Sequence, residues 1–408
     1  MAKDLIAIQE QESKRATAAL KAIVDDYSDD PAGASSRLNS EYRKLTKRRY
    51  YLDVLEKARS DEVPWSLVPS IERLASLILP NRKILMTTTP HMNYSVNWSQ
   101  PIVTLFLPKL HRANAFLHVL IGHELFHPAI GNFFPGEESI VSPKLRDECK
   151  KLLGMRDVPD LFSQKRLDNI LSYATEAWRR GLEELMCDMG AASLFGPAAL
   201  WTISGLAASQ DLDVEPSMDN QFYPPWRMRI KTVLEYVLDI DDGARRIREL
   251  CDSLKNASFE QHALALSDSI SEERIVCNKV QHSPSLFRDP IVKMAYGQVN
   301  DSLKRAKLFI QGATKDLVDR WANTCSQIPT LMTRLALLVP PSELIEAGKM
   351  ASAPADMSAI VMCFWIERLR AEHDATLDLS VFSRLCRLML KAIEDSELKR
   401  QYMDWSAE

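Results

Sequence analysis

At 408 residues, with 46 % hydrophobic and 26 % charged side chains, the chain can bury a sizeable core and is too ordinary to be disordered, collagen-like or a disulfide scaffold. Its 51 Lys and Arg against 55 Asp and Glu leave a net charge of −4, so nothing global favours nucleic acid or an acidic membrane, and no nucleic-acid partner is expected. Scarce Gly (13 against 21 Pro) and a mean hydropathy of −0.19 fit a helix-rich soluble protein.

From Lys3 to Tyr27 the residues Leu5, Ile8, Ala16, Leu20, Ile23 and Val24 fall on one helical stripe, which Asp29-Asp30-Pro31-Ala32-Gly33 breaks. A second helix over about Ser36–Arg59 completes a helical hairpin. Its Lys44–Tyr51 stretch mixes base and aromatic and reads as a solvated face. Met1–Glu12 has no apolar h-region, so no signal peptide is expected. Pro64-Trp65 restarts the chain into a short helix that ends near Leu79-Pro80. Between Lys83 and Leu107 the period changes, and Ile84–Thr89, Asn93–Trp98 and Ile102–Leu107 read as two or three strands. After Pro108 helix returns almost to the end, interrupted at Gly196-Pro197, Pro224-Pro225 and Pro340-Pro341-Ser342, where the serine is placed to cap a following helix. The 7 Cys form no CxxC pair and read as reduced thiols, which points to the cytoplasm. The longest apolar runs, Phe116–Ile121 and Met357–Ile366, fall short of the roughly 18 to 20 residues of a membrane span. The expectation is a predominantly helical α+β protein with three regions: an N-terminal helical hairpin region (1–80), a core with a small β-sheet (81–235) and a C-terminal helical domain (236–408), the last a candidate surface for a protein partner.

Chemistry concentrates in Ile121-Gly122-His123-Glu124-Leu125-Phe126-His127, an HExxH motif inside an apolar run that stops at Pro128. On a helix, His123 and His127 project from one face and can hold a single Zn²⁺ at about 2.0–2.1 Å. Glu124 lies toward the open side of such an ion, where it can take a proton from a metal-activated water and pass it to a leaving amine. The plainer alternative is two hydrogen-bonded histidines on a buried helix. A catalytic zinc takes a third protein ligand, and no histidine follows at metzincin spacing. A helix over about Arg166–Phe195 offers Glu183-Glu184-Leu185-Met186-Cys187-Asp188 instead. Glu184 is the expected ligand, and Asp188, one turn on, the acceptor that fixes a histidine tautomer. Glu183 is the fallback ligand, and Cys187, at a helical angle away from Glu184, reads as a core thiol. By itself a Glu-x-x-x-Asp spacing is common surface patterning.

His123-Glu124-x-x-His127 followed by Glu184-x-x-x-Asp188 resembles the gluzincin metallopeptidases, in particular the HtpX heat-shock proteases and the CAAX prenyl endopeptidases. Those families carry a later His-Pro-Pro-x-x-x-Arg segment, and this chain has Tyr223-Pro224-Pro225-Trp226-Arg227-Met228-Arg229. The resemblance covers about Ile84–Tyr236. It implies a zincin-type core flanked by helical regions, Zn²⁺ on His123, His127 and Glu184, Glu124 as general base, Asp188 behind the ligands and a polypeptide substrate. Tyr223 stands where histidine is usual; it is a candidate donor to a tetrahedral oxyanion, or else a turn residue before Pro-Pro. Arg229 is expected to pair with an active-site or substrate carboxylate, or else to be exposed. The resembled families are membrane-embedded, so their membrane substrates and prenylated tails do not carry over. An edge strand, Asn93–Trp98 or Ile102–Leu107, would hold an extended substrate. His91, His111, His118, His262, His282 and His373 lack partners at ligand spacing, and His118 reads as an ordinary helix residue. Two other functions fit the motif: a zinc-stabilised, catalytically degenerate scaffold, and a zinc amidohydrolase of small non-peptide substrates.

Overall fold

The computed structural model describes residues 14–15, 17–25, 29–31, 33–41, 63–64, 67–99, 102–155, 161–239, 242–278, 287–344 and 352–407. Of the N-terminal hairpin it describes helix over 17–25 and 33–41 with the expected break at 29–30; Lys44–Tyr51 and Trp65 lie outside the described residues. Helix α1 (Leu67–Ile78) buries Leu67, Ile71, Leu74 and Ala75, one stripe at i, i+4, i+7 and i+8.

Three strands follow: β1 (Lys83–Thr89), β2 (Ser95–Ser99) and β3 (Ile102–Pro108), in the order β1-β3-β2. β1 runs parallel to β3 with Ile84 opposite Val103, and β2 runs antiparallel to β3 with Trp98 opposite Val103. β1 and β3 are buried on both faces, which is why they read as near-continuous apolar and β-branched runs. This ordering corrects one expectation. Ile102–Leu107 is the central strand and cannot serve as an edge, because β1 and β2 already take both of its hydrogen-bonding sides. Among the described residues β2 pairs with β3 alone, so the edge beside the later site is β2.

The rest is helical: α2 (Leu120–Phe126), α3 (Phe134–Leu153), α4 (Leu161–Phe195), α5 (Pro197–Ala207), α6 (Trp226–Asp239), α7 (Gly243–Asn256), α8 (Glu260–Asn278), α9 (Pro290–Ala313), α10 (Lys315–Ala336), α11 (Met357–His373) and α12 (Leu379–Ala407). α4, 35 residues long, is the spine, touching α2, α3, α5, α6, α9, α10 and α11. It ends at Gly196, whose φ of 56° favours glycine, and Pro197 opens α5 at once. Asp289 caps α9, its carboxylate accepting from the Ile291 amide at 2.8 Å. Pro340-Pro341-Ser342 does not cap a helix as expected. It leads into a short strand β4 (Glu343–Leu344), antiparallel to β5 (Ala353–Pro354), and the Ser342 carbonyl accepts from the Ala355 amide. Two-residue strands carry no alternation to read. The apolar run Met357–Ile366 is the buried first half of α11, and no helix among the described residues is long and apolar enough to cross a membrane. One buried apolar cluster runs from Leu67 to Ile393 without a break at residue 80 or 235. All 7 cysteines are free, and Cys325 alone is not fully buried.

The crossing of α2 over α4 is unusually close because glycine permits it. A Cβ at Gly190 of α4 would lie 2.2 Å from the Phe126 ring, and one at Gly122 of α2 would lie 3.0 Å from Phe195. Gly190→Ala therefore forces α2 off α4 and is expected to cost about 1–3 kcal/mol in urea unfolding. Gly205→Ala, in α5 with nothing within 4 Å of its Cβ, is expected to be neutral or to gain up to about 1 kcal/mol.

Candidate metal centre

A 3-10 turn (Ala115–Val119) feeds α2, whose buried side carries Ile121, Gly122, His123, Leu125 and Phe126. The Gly190 contact presses this face onto the C-terminal half of α4. Four polar groups of α4 meet it: Glu183, Glu184, Cys187 and Asp188. His123 Nδ1 lies 2.8 Å from Asp188 Oδ1, and His127 Nδ1 lies 2.8 Å from Glu183 Oε1. A carboxylate only accepts, so each Nδ1 carries a proton, and Nε2 is the ring atom left to take a metal ion or, at His123, a second proton. Both Nε2 atoms face the Glu184 carboxylate, His123 at 3.3 Å and His127 at 3.9 Å. The rings are 5.1 Å apart and steeply inclined, at 76°. The Trp98 ring of β2 stacks over His127 at 6.5 Å.

Behind this group, Arg229 of α6 clamps Asp188 with two hydrogen bonds, Nε to Oδ2 at 2.7 Å and Nη2 to Oδ1 at 2.8 Å. Arg229 is thus buried rather than exposed, lies 3.7 Å from Glu184 Oε2, and rests on the Trp226 ring at 4.9 Å. Burial works to raise the Asp188 pKa, but the Arg229 charge and hydrogen bonds outweigh it and hold the group near 2. Glu184 is likewise held below the usual carboxylate range, against burial, by the hydrogen bond and charge of His123 and by Arg229. Glu124 moves the other way, raised chiefly by burial. For His123, burial opposes the charged ring, yet hydrogen bonds to Asp188 and Glu184 push its pKa up to about 10.

Cys187, expected to turn away, lies closer than its helical angle implied: its Sγ and a ring nitrogen of each histidine fall within 4.8 Å of one another. Burial and the nearby Glu184, Glu183, Glu124 and Asp188 push its thiol well above 9, so it stays protonated. Two donor sets are candidates: His123/His127/Glu184, whose carboxylate lies 3.3 and 3.9 Å from the two Nε2 atoms, and His123/His127/Cys187, whose three donor atoms all lie within 4.8 Å of one another. Only the first offers its third donor already ionised. Four carboxylates, Glu124, Glu183, Glu184 and Asp188, surround the histidines, against two guanidinium groups: Arg229, committed to Asp188, and the half-exposed Arg180, 3.8 Å from Glu183. Such a pocket suits a divalent cation.

A cavity of about 420 Å³ opens on His123, Glu124 and Glu184 and is also lined by Tyr223 and Arg229. Tyr223 reaches it through a tight turn in which Gln221 and Phe222 both take left-handed φ, 54° and 56°. The turn is anchored: Phe222 is buried edge-on to Tyr173 at 4.9 Å, its carbonyl accepts from Tyr296 Oη at 2.7 Å, and the Ser217 amide donates to Asn220 Oδ1 at 2.8 Å. The charge of Glu184, then burial, push the Tyr223 phenol up to about 12, so it remains a donor.

The other described histidines stay apart from the donor set. His118 is no ordinary helix residue: it is buried in the 3-10 turn, its Nε2 donating to the Arg112 carbonyl at 3.2 Å and its Nδ1 accepting from Tyr94 Oη at 3.1 Å. Burial pulls its pKa to about 4, so the ring is neutral. His111 stacks on Tyr94, His262 pairs with Glu367 at 2.7 Å, and His282 lies outside the described residues. Sequence reasoning missed Glu183 as the partner of His127. Helical spacing places Glu183 only about 100° around α4 from Glu184; that it meets His127 is a long-range pairing that spacing alone does not give.

Removing one partner of a buried ion pair leaves an uncompensated charge, so Asp188→Asn is expected to cost about 3–5 kcal/mol in urea unfolding at pH 7. The contribution of a carboxylate with a depressed pKa is complete above its ordinary value of 3.8 and fades as the pH falls toward 2. The gap between wild type and variant should close over that window.

Comparisons with protein-family models, with curated proteins and with solved structures find no match to this chain.

Proposed function

We propose that this chain is a zinc-dependent metallopeptidase, with His123, His127 and Glu184 holding the ion. The observation that carries this reading is the pairing of tautomers: both Nδ1 atoms are engaged by further carboxylates, and both Nε2 atoms converge on Glu184. The gluzincin-like order of motifs supports it, as does the excess of buried carboxylate. When bound, zinc would supply Lewis acidity to a carbonyl and to water.

The chain's own residues supply the rest. Glu124 lines the cavity beside His123, and its raised pKa suits a base that takes a proton from the attacking water and returns it to the leaving amine. Tyr223, protonated and facing the same space, donates to the oxyanion that develops on the substrate. Arg229 has a different part from the one its sequence position invites. Its two hydrogen bonds go to Asp188, so it positions His123 through that carboxylate and does not meet substrate charge. β2 lies at the sheet edge, and its Trp98 covers His127, which favours an extended polypeptide over a small amide. Seven free cysteines fit a reducing compartment, and we place the protein in the cytoplasm.

Elemental analysis of the purified chain should find about one zinc per molecule, and close to none in His123→Ala or Glu184→Gln. Cys187→Ser should retain the metal, which separates the two donor sets. Glu183→Ala should weaken zinc affinity by about 10–100-fold in a chelator competition, through a loosened His127. Glu124→Gln should keep zinc and lose about 10²–10⁴-fold in peptide turnover. Tyr223→Phe should keep zinc and lose about 10²–10³-fold in kcat. Zinc retained by both His123→Ala and Glu184→Gln would sink the assignment.

A further inference from the structure

The cavity beside the histidines has a second character that the hydrolytic groups do not use. Leu117, Leu120, Leu206, Val214, Pro225 and Trp226 line it together with Glu124 and His123. Leu120 precedes His123 and Glu124 by three and four residues on the same helix, so its side chain shares their face. Trp226 is a fixed wall: its Nε1 donates to Gln210 Oε1 at 2.8 Å, and the Arg229 guanidinium lies against its ring. The charged and titratable groups lining the cavity are His123, Glu124, Glu184, Arg229, Tyr94, Tyr223 and His111. Arg229 is already bound to Asp188, and His111 is stacked on Tyr94. Away from the histidines, a substrate carboxylate entering here would lie against the apolar wall and meet no uncommitted guanidinium or ammonium group. A volume of about 420 Å³ holds one large side chain with its flanking backbone.

Building on the metallopeptidase reading, we propose that this cavity is the specificity pocket. It takes a large uncharged apolar side chain, of leucine to phenylalanine size, from a residue flanking the scissile bond inside a polypeptide, and it rejects acidic residues and free C-terminal carboxylates. The protein is then an endopeptidase selective for apolar residues.

The test uses N-acetylated, C-amidated heptapeptides of alanine with a central Leu, Phe, Ala or Asp, and an uncapped peptide ending in Leu. Cleavage is measured with the zinc-loaded full-length wild type, and binding by calorimetry with zinc-loaded Glu124→Gln. The expected order in both is Phe and Leu above Ala by about tenfold or more, the gain from burying one such side chain, with Asp and the uncapped peptide below Ala. Leu206→Trp, which fills the pocket, should shrink the Phe and Leu advantage to within about twofold; Val214→Trp, at an exposed position, is the second variant if the first does not fold. Equal or undetectable binding of all peptides, tighter binding of Asp, or an unaltered preference in the filled variants overturns the pocket. Two outcomes separate this inference from the reading beneath it. Cleavage without preference sinks the pocket alone, and ranked binding without wild-type cleavage sinks the peptidase and leaves the pocket standing.

Discussion

Asp188 is the constraint on which the site depends. Fully buried, it gives Oδ1 to both His123 of α2 and Arg229 of α6, and Oδ2 to Arg229 alone, so one carboxylate on the spine helix fixes two others. Burying a charge is costly unless its hydrogen-bonding capacity is met, and here three donors meet it. The geometry that follows is unforgiving. With Nδ1 of His123 committed, Nε2 has one direction in which to point, and Glu184, one turn earlier on the same helix, lies in that direction. The Gly190 crossing is what makes the arrangement reachable, because any larger residue there would hold α2 away from α4.

The electrostatics of the pocket run in one direction. Four carboxylates share a space with the buried Arg229 and, at its rim, the half-exposed Arg180, and the chain alone adds to the balance by loading His123 with a proton, which is the sense of its upward-shifted pKa. A proton on Nε2 and a metal ion on Nε2 answer the same excess of negative charge, and the ion answers more of it. The same field explains why Cys187, near enough to ligate, is a poor competitor. Ionising it would add a fifth negative charge to a buried acidic cluster.

Much of this was legible in the residues. HExxH and the Glu184-x-x-x-Asp188 spacing fix which side chains share a helix face, because 3.6 residues per turn is a local rule. The strands at Ile84–Thr89 and Ile102–Leu107 stood out because β-branched runs between Pro and Asn have few other readings. What could not be read is whatever depends on a partner distant along the chain. The ordering β1-β3-β2, which makes Ile102–Leu107 central, is a pairing choice that no single strand encodes. The bond from Glu183 to His127, the stacking of Trp98 and the clamp from Arg229 to Asp188 join segments 29 to 56 positions apart. The two left-handed residues before Tyr223 carry no glycine to announce them. β4 and β5 are too short for a period.

The two histidines are supported unequally, and this says which is the rigid one. His123 is locked through Asp188 to a buried guanidinium. His127 ends α2, is more exposed, and leans on Glu183, whose own cation, Arg180, is a half-exposed neighbour at 3.8 Å. A solvent-screened surface pair holds its partner loosely. Its other neighbour is the Trp98 ring from β2, the strand at the sheet edge, which lies nearly parallel to it at 6.5 Å. β2 therefore carries the ring that lies parallel to His127, one of the two imidazoles of the donor set. The sheet, small as it is, is thus part of the site, because it carries the wall against which the second imidazole is set.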